Sequence, residues 1–127
     1  MIKDERGTAM VEMALVLPML LILLCGMVEL GRIFHSYIVI QQAARDAVRY
    51  VSIGESDAKV SSIIQQSIPS LDAKRITYTI KPRDGYRRTG DAVSVEITYA
   101  HAMLIPFLKG LLPDPFPLHA KLTMRME

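Results

Sequence analysis

One carboxylate lies inside the most apolar part of the sequence. Glu12 is the only charged residue between Thr8 and Val28. A carboxylate near the bilayer interior costs about 2.5–3.5 kcal/mol on insertion scales, so a chain that keeps one there needs a reason. Because Glu12 lies only four residues after Thr8, the simplest account is that its side chain reaches out to the lipid head groups.

A cut between Gly7 and Thr8 would give this acid a partner. Thr8 would then carry a free ammonium group one helical turn from the Glu12 carboxylate. A neighbouring helix shifted by one turn could pair its own ammonium with that carboxylate, in a medium that solvates neither charge well. A stack of helices paired in this way is a filament, so the spacing suits an assembly subunit as well as a plain anchor.

The segment around Glu12 has the length of a membrane span. Residues 8–28 would form a helix of roughly 30 Å, which matches the hydrocarbon core of a bilayer. Pro18 lies near its middle, where a membrane helix tolerates proline. A removable signal peptide is disfavoured, because the head MIKDER has balanced charges and no small-x-small site follows. The short head favours a cytoplasmic N-terminus, whereas the distribution of Lys and Arg does not decide the orientation.

The composition argues against other common functions. The net charge of +2 is small, and no cluster of Lys and Arg is interleaved with aromatic residues, so no nucleic-acid partner is predicted. The single cysteine excludes an internal disulfide, and the three histidines are scattered one by one. No CxxC, HExxH, GxGxxG or P-loop spacing occurs. We therefore expect no enzyme: no catalytic residue, no metal, no cofactor and no small-molecule substrate.

The helix is predicted to continue beyond the span, over residues 29–54. Apolar residues recur at steps of three and four: Ile33, Tyr37, Ile40, Ala44, Val48 and Val51. Polar residues fill the other side: Arg32, His35, Ser36, Gln42, Arg45, Asp46 and Arg49. Gly54 is the predicted end of the helix. Glu29 and Arg32, three residues apart, form either an ion pair at the membrane interface or part of a solvated helix end.

Residues 55–127 predict a small α+β head. A helix with Val60, Ile63, Ile64 and Ile68 on one face ends before Pro69. Two alternating segments, KRITYTIKP and DAVSVEITYA, form a hairpin, and LHAKLTMRME adds a last strand. The predicted fold class is α+β: a long transmembrane-plus-amphipathic helix packed on an antiparallel sheet of about three strands, with one extra short helix.

Two connections in the head stand out by their composition. RDGYRRTG joins the first two strands and places Arg83, Tyr86, Arg87 and Arg88 at a basic tip. That tip is either solvated or in contact with an acidic partner subunit or an anionic surface. AMLIPFLKGLLPDPFP is apolar, but it is too short and too broken by proline to span a membrane. It is expected to be a loop or short helical turn that covers the sheet, or docks on the membrane or on another subunit.

The N-terminal third resembles a known family. Gly7 and Glu12 have the spacing of the class III signal of type IV prepilins: a short charged leader, Gly, four residues, Glu and an apolar stretch. Four elements together resemble the TadE-like pseudopilins, or minor pilins, of the tight-adherence (Tad/Flp) type IV pilus systems. These elements are GTAMVE (Gly7–Glu12), ALVLP (Ala14–Pro18), GMVELGR (Gly26–Arg32) and AARDAVR (Ala43–Arg49).

This resemblance implies a pilin-like fold and a role in assembling Flp-type adhesive pili. A prepilin peptidase would cut after Gly7, Thr8 would become the new N-terminus, and Glu12 would be the assembly carboxylate. The chain would divide into a cytoplasmic leader (1–7), a span of the bacterial inner membrane (8–28), a periplasmic helix (29–54) and a periplasmic head (55–127). Other Tad pilins and the assembly platform would be its partners, in the membrane or in the extracellular pilus. The alternative is an uncleaved single-pass anchor that displays a partner-binding head.

Overall fold

The structure of the chain, a computed structural model, describes residues 2–83, 85–113 and 115–127. Met1 of the predicted leader and Asp84 within the predicted basic tip lie outside the described residues, as does Asp114. The elements follow in the order α1 (Ile2–Ser52), α2 (Asp57–Ser67), a 3₁₀ turn (Ala73–Arg75), β1 (Ile76–Lys81), β2 (Ala92–His101), α3 (Pro106–Lys109) and β3 (Phe116–Arg125). The α+β fold class predicted from the sequence is confirmed.

Helix α1 runs for 51 residues, roughly 75 Å, and continues through Pro18. It begins at Ile2 rather than at Thr8, so residues 2–7 of the predicted leader are helical as well. Asp4 and Glu5 lie in its first turn, where acidic side chains favour the positive end of the helix dipole. Its most apolar window has a mean hydropathy of 2.5 and is 0% buried by the rest of the chain. By length and composition, α1 is therefore able to cross a membrane.

The predicted end of α1 at Gly54 is confirmed. Gly54 adopts a φ of 89°, which costs glycine little because it has no Cβ. Its N–H donates to Val51 O at 3.0 Å, and Glu55 N–H donates to Tyr50 O at 3.1 Å. These two bonds are the Schellman pattern that satisfies the last carbonyls of a helix. Helix α2 follows directly, with the Ser56 side chain accepting from Lys59 N.

The three strands form one antiparallel sheet with β2 in the centre, in the order β1-β2-β3. Every second residue of β2 points toward α1 and is buried: Val93, Val95, Ile97, Tyr99 and His101. The facing side of α1 contributes Ile40, Ala43, Ala44, Ala47, Val48 and Val51 to the same core. The three alanines keep that face of the helix narrow, so the sheet can approach it closely. Helix α2 adds Val60, Ile64 and Ile68.

The sequence pattern predicts the wrong face of α1 for two neighbouring residues, Ser36 and Tyr37. Tyr37 was expected on the packed face and is 42% exposed, whereas Ser36 was expected on the polar face and is 3% exposed. The packed face runs through Ser36, Ile40, Ala43 and Ala47, so near Ser36 it is rotated by one residue from the predicted stripe. The rotation brings a serine hydroxyl into contact with the end of β2.

The head lies lengthwise along the second half of α1. At one end, the Glu29 side chain contacts His101 and the backbone of Leu104, where β2 ends. At the other end, Glu127 N–H donates to Ser52 O at 2.9 Å, where α1 ends. The β2–β3 link (residues 102–115) therefore lies beside the end of the apolar segment of α1. The β1–β2 tip (residues 82–91) lies at the opposite end of the head.

Candidate functional site

The predicted cut site lies within a regular stretch of α1. Thr8 Oγ1 donates to the Asp4 carbonyl at 2.7 Å, the usual bond of a helical threonine to the preceding turn. A Cβ added at Gly7 would meet no atom within 4 Å. Neither the backbone conformation nor the packing of this chain therefore requires glycine at position 7. A requirement for glycine there would have to come from another molecule.

Glu12 projects from the apolar segment, and no described residue balances its charge. Its side chain is exposed, and within the described part of the chain it makes no hydrogen bond or ion pair. The surrounding positions are large apolar side chains that are exposed too, among them Met10, Val11, Met13 and Leu15. One helical turn, about 6 Å along the axis, separates the Glu12 and Thr8 positions. The predicted new N-terminus, Thr8, and the predicted assembly carboxylate of Glu12 thus lie close together, on a helix surface that the fold leaves uncovered.

Glu29 has the opposite environment at the end of the same apolar segment. Its side chain is 1% exposed. Oε2 accepts from Arg32 Nη1 at 2.9 Å, while Oε1 accepts from Leu104 N–H at 3.3 Å and lies 3.3 Å from His101 Nε2. An ionised, buried carboxylate needs this set of donors to offset the loss of its hydration. The predicted Glu29–Arg32 contact is thus present, with two further donors that the sequence pattern did not reveal.

His101 joins α1 to the sheet. It is 2% exposed, with Nε2 toward Glu29 and Nδ1 at 3.2 Å from Ser36 Oγ. An Nε2–H that donates to the carboxylate leaves Nδ1 to accept from the serine hydroxyl, and each polar atom is then satisfied. The group of Glu29, Arg32, Ser36, His101 and the Leu104 amide is called the Glu29 cluster below. It fixes the end of β2 against α1 at one level of the helix.

The order acid, imidazole, hydroxyl in this cluster also occurs in hydrolases. A groove of about 330 Å³ runs past it, lined by Val28, Gly31, Arg32, His35, Ser36, Ser70, Leu71, Tyr99 and His101. However, Ser36 lies in the middle of α1 with its side chain 3% exposed, and its backbone N–H is part of the helix. A nucleophile needs an accessible oxygen and nearby donors for the developing oxyanion. The geometry therefore favours a positioning role for the cluster.

The predicted basic tip divides into one internal residue and three external ones. The Arg87 side chain is 3% exposed. Its guanidinium donates to Pro82 O at 2.9 Å, to Glu55 O at 3.0 Å and to the carboxylate of Asp57. Arg87 thus ties the tip to the start of α2 and is not available to a partner. Arg83, Tyr86 and Arg88 are exposed, Tyr86 at 76%.

His101 and the Leu104 amide were missed as partners of Glu29. One signal was present, because alternation along β2 puts residues 93, 95, 97, 99 and 101 on one face. A second was the seven-residue step from Glu29 to Ser36, which places them two turns apart on one face of α1. Nothing in the sequence pattern fixes the register between the two elements, so their meeting could not be derived.

The N-terminal part of the chain is similar to one family of known proteins. Residues 7–49 match the model of the family described as TadE-like protein. The match begins at Gly7 and includes both Glu12 and the Glu29–Arg32 pair, so the resemblance noted from the sequence is confirmed over this segment. No curated protein and no solved structure matches the chain.

The class defined by this fold is an α+β protein with a long, uncovered apolar N-terminal helix. Over its matched segment the chain is TadE-like. The head, residues 55–127, lies outside the matched residues.

Proposed function

We propose that this chain is a minor pilin of a Tad-type system and takes part in assembling Flp-type adhesive pili. Residues 8–28 span the bacterial inner membrane, with the N-terminus in the cytoplasm and the head in the periplasm. The observation that carries the proposal is Glu12: an acid five positions after Gly7, uncovered by its own fold and included in the TadE-like match. The role is structural, and the chain itself catalyses nothing.

Processing after Gly7 gives Glu12 its function in this proposal. A prepilin peptidase removes residues 1–7 and leaves an ammonium group on Thr8. In the membrane, that ammonium pairs with the Glu12 carboxylate of an adjacent subunit displaced by about one turn, or about 6 Å. Because lipid solvates neither charge, a pair that is moderate in water becomes a strong determinant of register. Partners are thus the peptidase, other Tad pilins and the assembly platform.

The Glu29–Arg32 pair is assigned to the membrane boundary. Glu29 directly follows the predicted span, and the Arg32 side chain is 38% exposed. Its guanidinium can therefore bind Glu29 and still reach water or a lipid phosphate. The pair holds the head at a fixed height above the bilayer. At the other end of the head, the exposed residues of the tip, Arg83, Tyr86 and Arg88, are free to contact an acidic partner subunit.

The intact mass of the membrane-extracted chain tests the processing step. The chain is expressed with an active cognate prepilin peptidase, and separately with an inactive peptidase. We expect a mass loss equal to Met1–Gly7 only with the active enzyme. Gly7→Val is the matched control, since a side chain at position 7 has open space in the fold but would obstruct a peptidase that requires glycine. It should keep its full mass while remaining folded.

An unchanged mass beside an active peptidase would contradict the proposal. A known prepilin cut in the same cells shows that the peptidase is active. The chain would then be the uncleaved single-pass anchor with a partner-binding head, and Glu12 would have no ammonium partner from its own kind. Cleavage of Gly7→Val as efficiently as the natural chain would equally count against recognition of Gly7.

A further inference from the structure

The β2–β3 link exposes more apolar surface than a solvated connection should. Leu104 is 65% exposed, Phe107 54%, Leu111 70% and Leu112 38%. Met103 is buried at 4%, and Ala102 and Ile105 are half-buried, so these described residues attach the link to the head while the four leucine and phenylalanine side chains remain exposed. Of the expectations for this segment, a short helical turn is confirmed as α3. Covering the sheet is not the role of these four side chains.

The position of the link is fixed relative to the predicted span. Leu104 N–H donates to Glu29 Oε1 at 3.3 Å, and Glu29 is the first residue after the span. The exposed apolar surface of α1 also continues past this level, with Leu30 at 53% and Phe34 at 57%. The link and the helix therefore present apolar side chains at the same height. This is the height at which the hydrocarbon of a bilayer would give way to head groups.

The composition of the link suits the boundary between lipid and water. Its sequence, residues 102–115, is mostly apolar and contains two ionisable residues of opposite charge, Lys109 and Asp114. At the other end of the head, the described residues of the β1–β2 tip include Arg83, Tyr86, Arg88 and Thr89, which are exposed and polar or basic. The end of the head that contains the link is thus suited to face the membrane, and the end that contains the tip is suited to face water.

We propose that the β2–β3 link is a second membrane contact. Leu104, Phe107, Leu111 and Leu112 insert into the leaflet on the head's side, to the depth of roughly 5–10 Å that interfacial segments reach. The Glu29–Leu104 bond couples this contact to α1, so the head is held in one orientation on the bilayer. The inference rests on the proposed span, because the link is placed at the membrane only if residues 8–28 cross it.

A tryptophan reporter tests this contact, because the natural chain contains no tryptophan. Three full-length variants are reconstituted one by one in phosphatidylcholine vesicles at a low protein-to-lipid ratio. Phe107→Trp reports on the link, Leu20→Trp on the span and Tyr86→Trp on the distal tip. Lipids brominated near the ester groups or near the chain ends then quench emission according to the depth of the indole.

For Phe107→Trp we expect blue-shifted emission, quenched several-fold more by the shallow bromines than the emission of Tyr86→Trp. Leu20→Trp should be quenched most by the deep bromines. A fourth variant, Leu111→Trp, repeats the measurement at a second exposed position, so that one link reporter remains if the other does not fold. Agreement of the two link reporters supports insertion of the whole segment.

The outcomes separate this inference from the proposed function. If Leu20→Trp is quenched and both link reporters are not, the span stands and the link does not touch the membrane. If Leu20→Trp is not quenched either, the proposed span itself fails. If the link reporters shift only at a high protein-to-lipid ratio, another copy of the chain covers the link, and the inference is wrong.

Discussion

Two glutamates of one helix have opposite surroundings. Glu12 and Glu29 lie 17 positions apart on α1, about 25 Å along its axis. Glu29 is 1% exposed and has Arg32, His101 and the Leu104 amide around its two oxygens. Glu12 is exposed and has no partner among the residues that the structure describes. The fold satisfies one acid from within and leaves the other to be satisfied by something else.

The difference is one of cost as well as geometry. The free-energy cost of burying Glu29 is offset by other groups of the chain, because charge-assisted hydrogen bonds replace the water that the carboxylate loses. Glu12 costs nothing in water and becomes expensive only when α1 enters lipid. The comparison therefore predicts that the two acids respond differently to substitution. Loss of Glu29 should affect folding of the head, and loss of Glu12 should affect assembly alone.

The largest effect is expected for Glu12→Ala. We expect loss of pilus assembly, because the ammonium of a neighbouring subunit would find no carboxylate. Stability of the head should stay within about 0.5 kcal/mol of the natural chain, since the change touches none of its contacts. Complementation of a deletion strain, with pili counted by electron microscopy, measures assembly, and intact mass shows that processing still occurs.

Glu5→Gln is the matched control for this variant. It removes an exposed acid of the same helix, from the segment that the peptidase would discard. Assembly should be unchanged in Glu5→Gln. Normal pili in Glu12→Ala would contradict the assembly role and would leave Glu12 as an acid that merely reaches the head groups.

An intermediate effect is expected for Glu29→Ala. Removal of the carboxylate leaves the buried His101 and the Leu104 amide without their acceptor, while Arg32 can still reach water. We expect the free energy of unfolding of the head to fall by about 2–3 kcal/mol. Urea unfolding of the full chain in detergent, followed through the near-ultraviolet signal of its tyrosines, measures this change. A stability equal to that of Glu12→Ala would remove the distinction between the two acids.

A double variant shows whether the polar contacts are the cause. Glu29→Leu with His101→Leu replaces both partners by apolar side chains, which leaves fewer buried groups unsatisfied. It should lose clearly less stability than the sum of the two single changes. Strict additivity would mean that Glu29 and His101 act independently, against the contact at 3.3 Å.

Much of this fold follows from local patterns. The apolar segment, the three strands, the glycine that ends α1 and the short turn at Pro106 all leave periodic or stop signals in the sequence. The start of α1 leaves no such signal in the sequence, because a short charged segment has no hydrophobic periodicity. Asp4 and Glu5 in the first turn favour the helix there through its dipole. The helix stripe was misplaced near Ser36, because large apolar residues lie on several sides of the helix there, with Phe34 and Ile38 exposed, and periodicity alone does not single out the packed side.

The candidate site was predictable only in part. The spacing of Gly7 and Glu12 and the pairing of Glu29 with Arg32 are local, so the sequence contains them. The meeting of Glu29 with His101, 72 residues later, depends on how the sheet is placed along α1. Arg87 is a similar case: its charge predicted a surface residue, yet its guanidinium is bound by groups near the start of α2. Long-range register decides both, and no local pattern encodes it.

The smallest effect is expected for Ser36→Ala, and it decides what the Glu29 cluster is for. If the cluster only positions β2 on α1, loss of the hydroxyl leaves one nitrogen of His101 without a partner and costs about 1 kcal/mol. Pilus assembly and membrane contact should then persist, because Glu29 still binds Arg32, His101 and Leu104. If Ser36 were instead a nucleophile, the natural chain would react with a fluorophosphonate probe and Ser36→Ala would not. Labelling that disappears in Ser36→Ala would show that the cluster around Glu29 is catalytic. The two glutamates would then differ in function, Glu29 in catalysis and Glu12 in assembly.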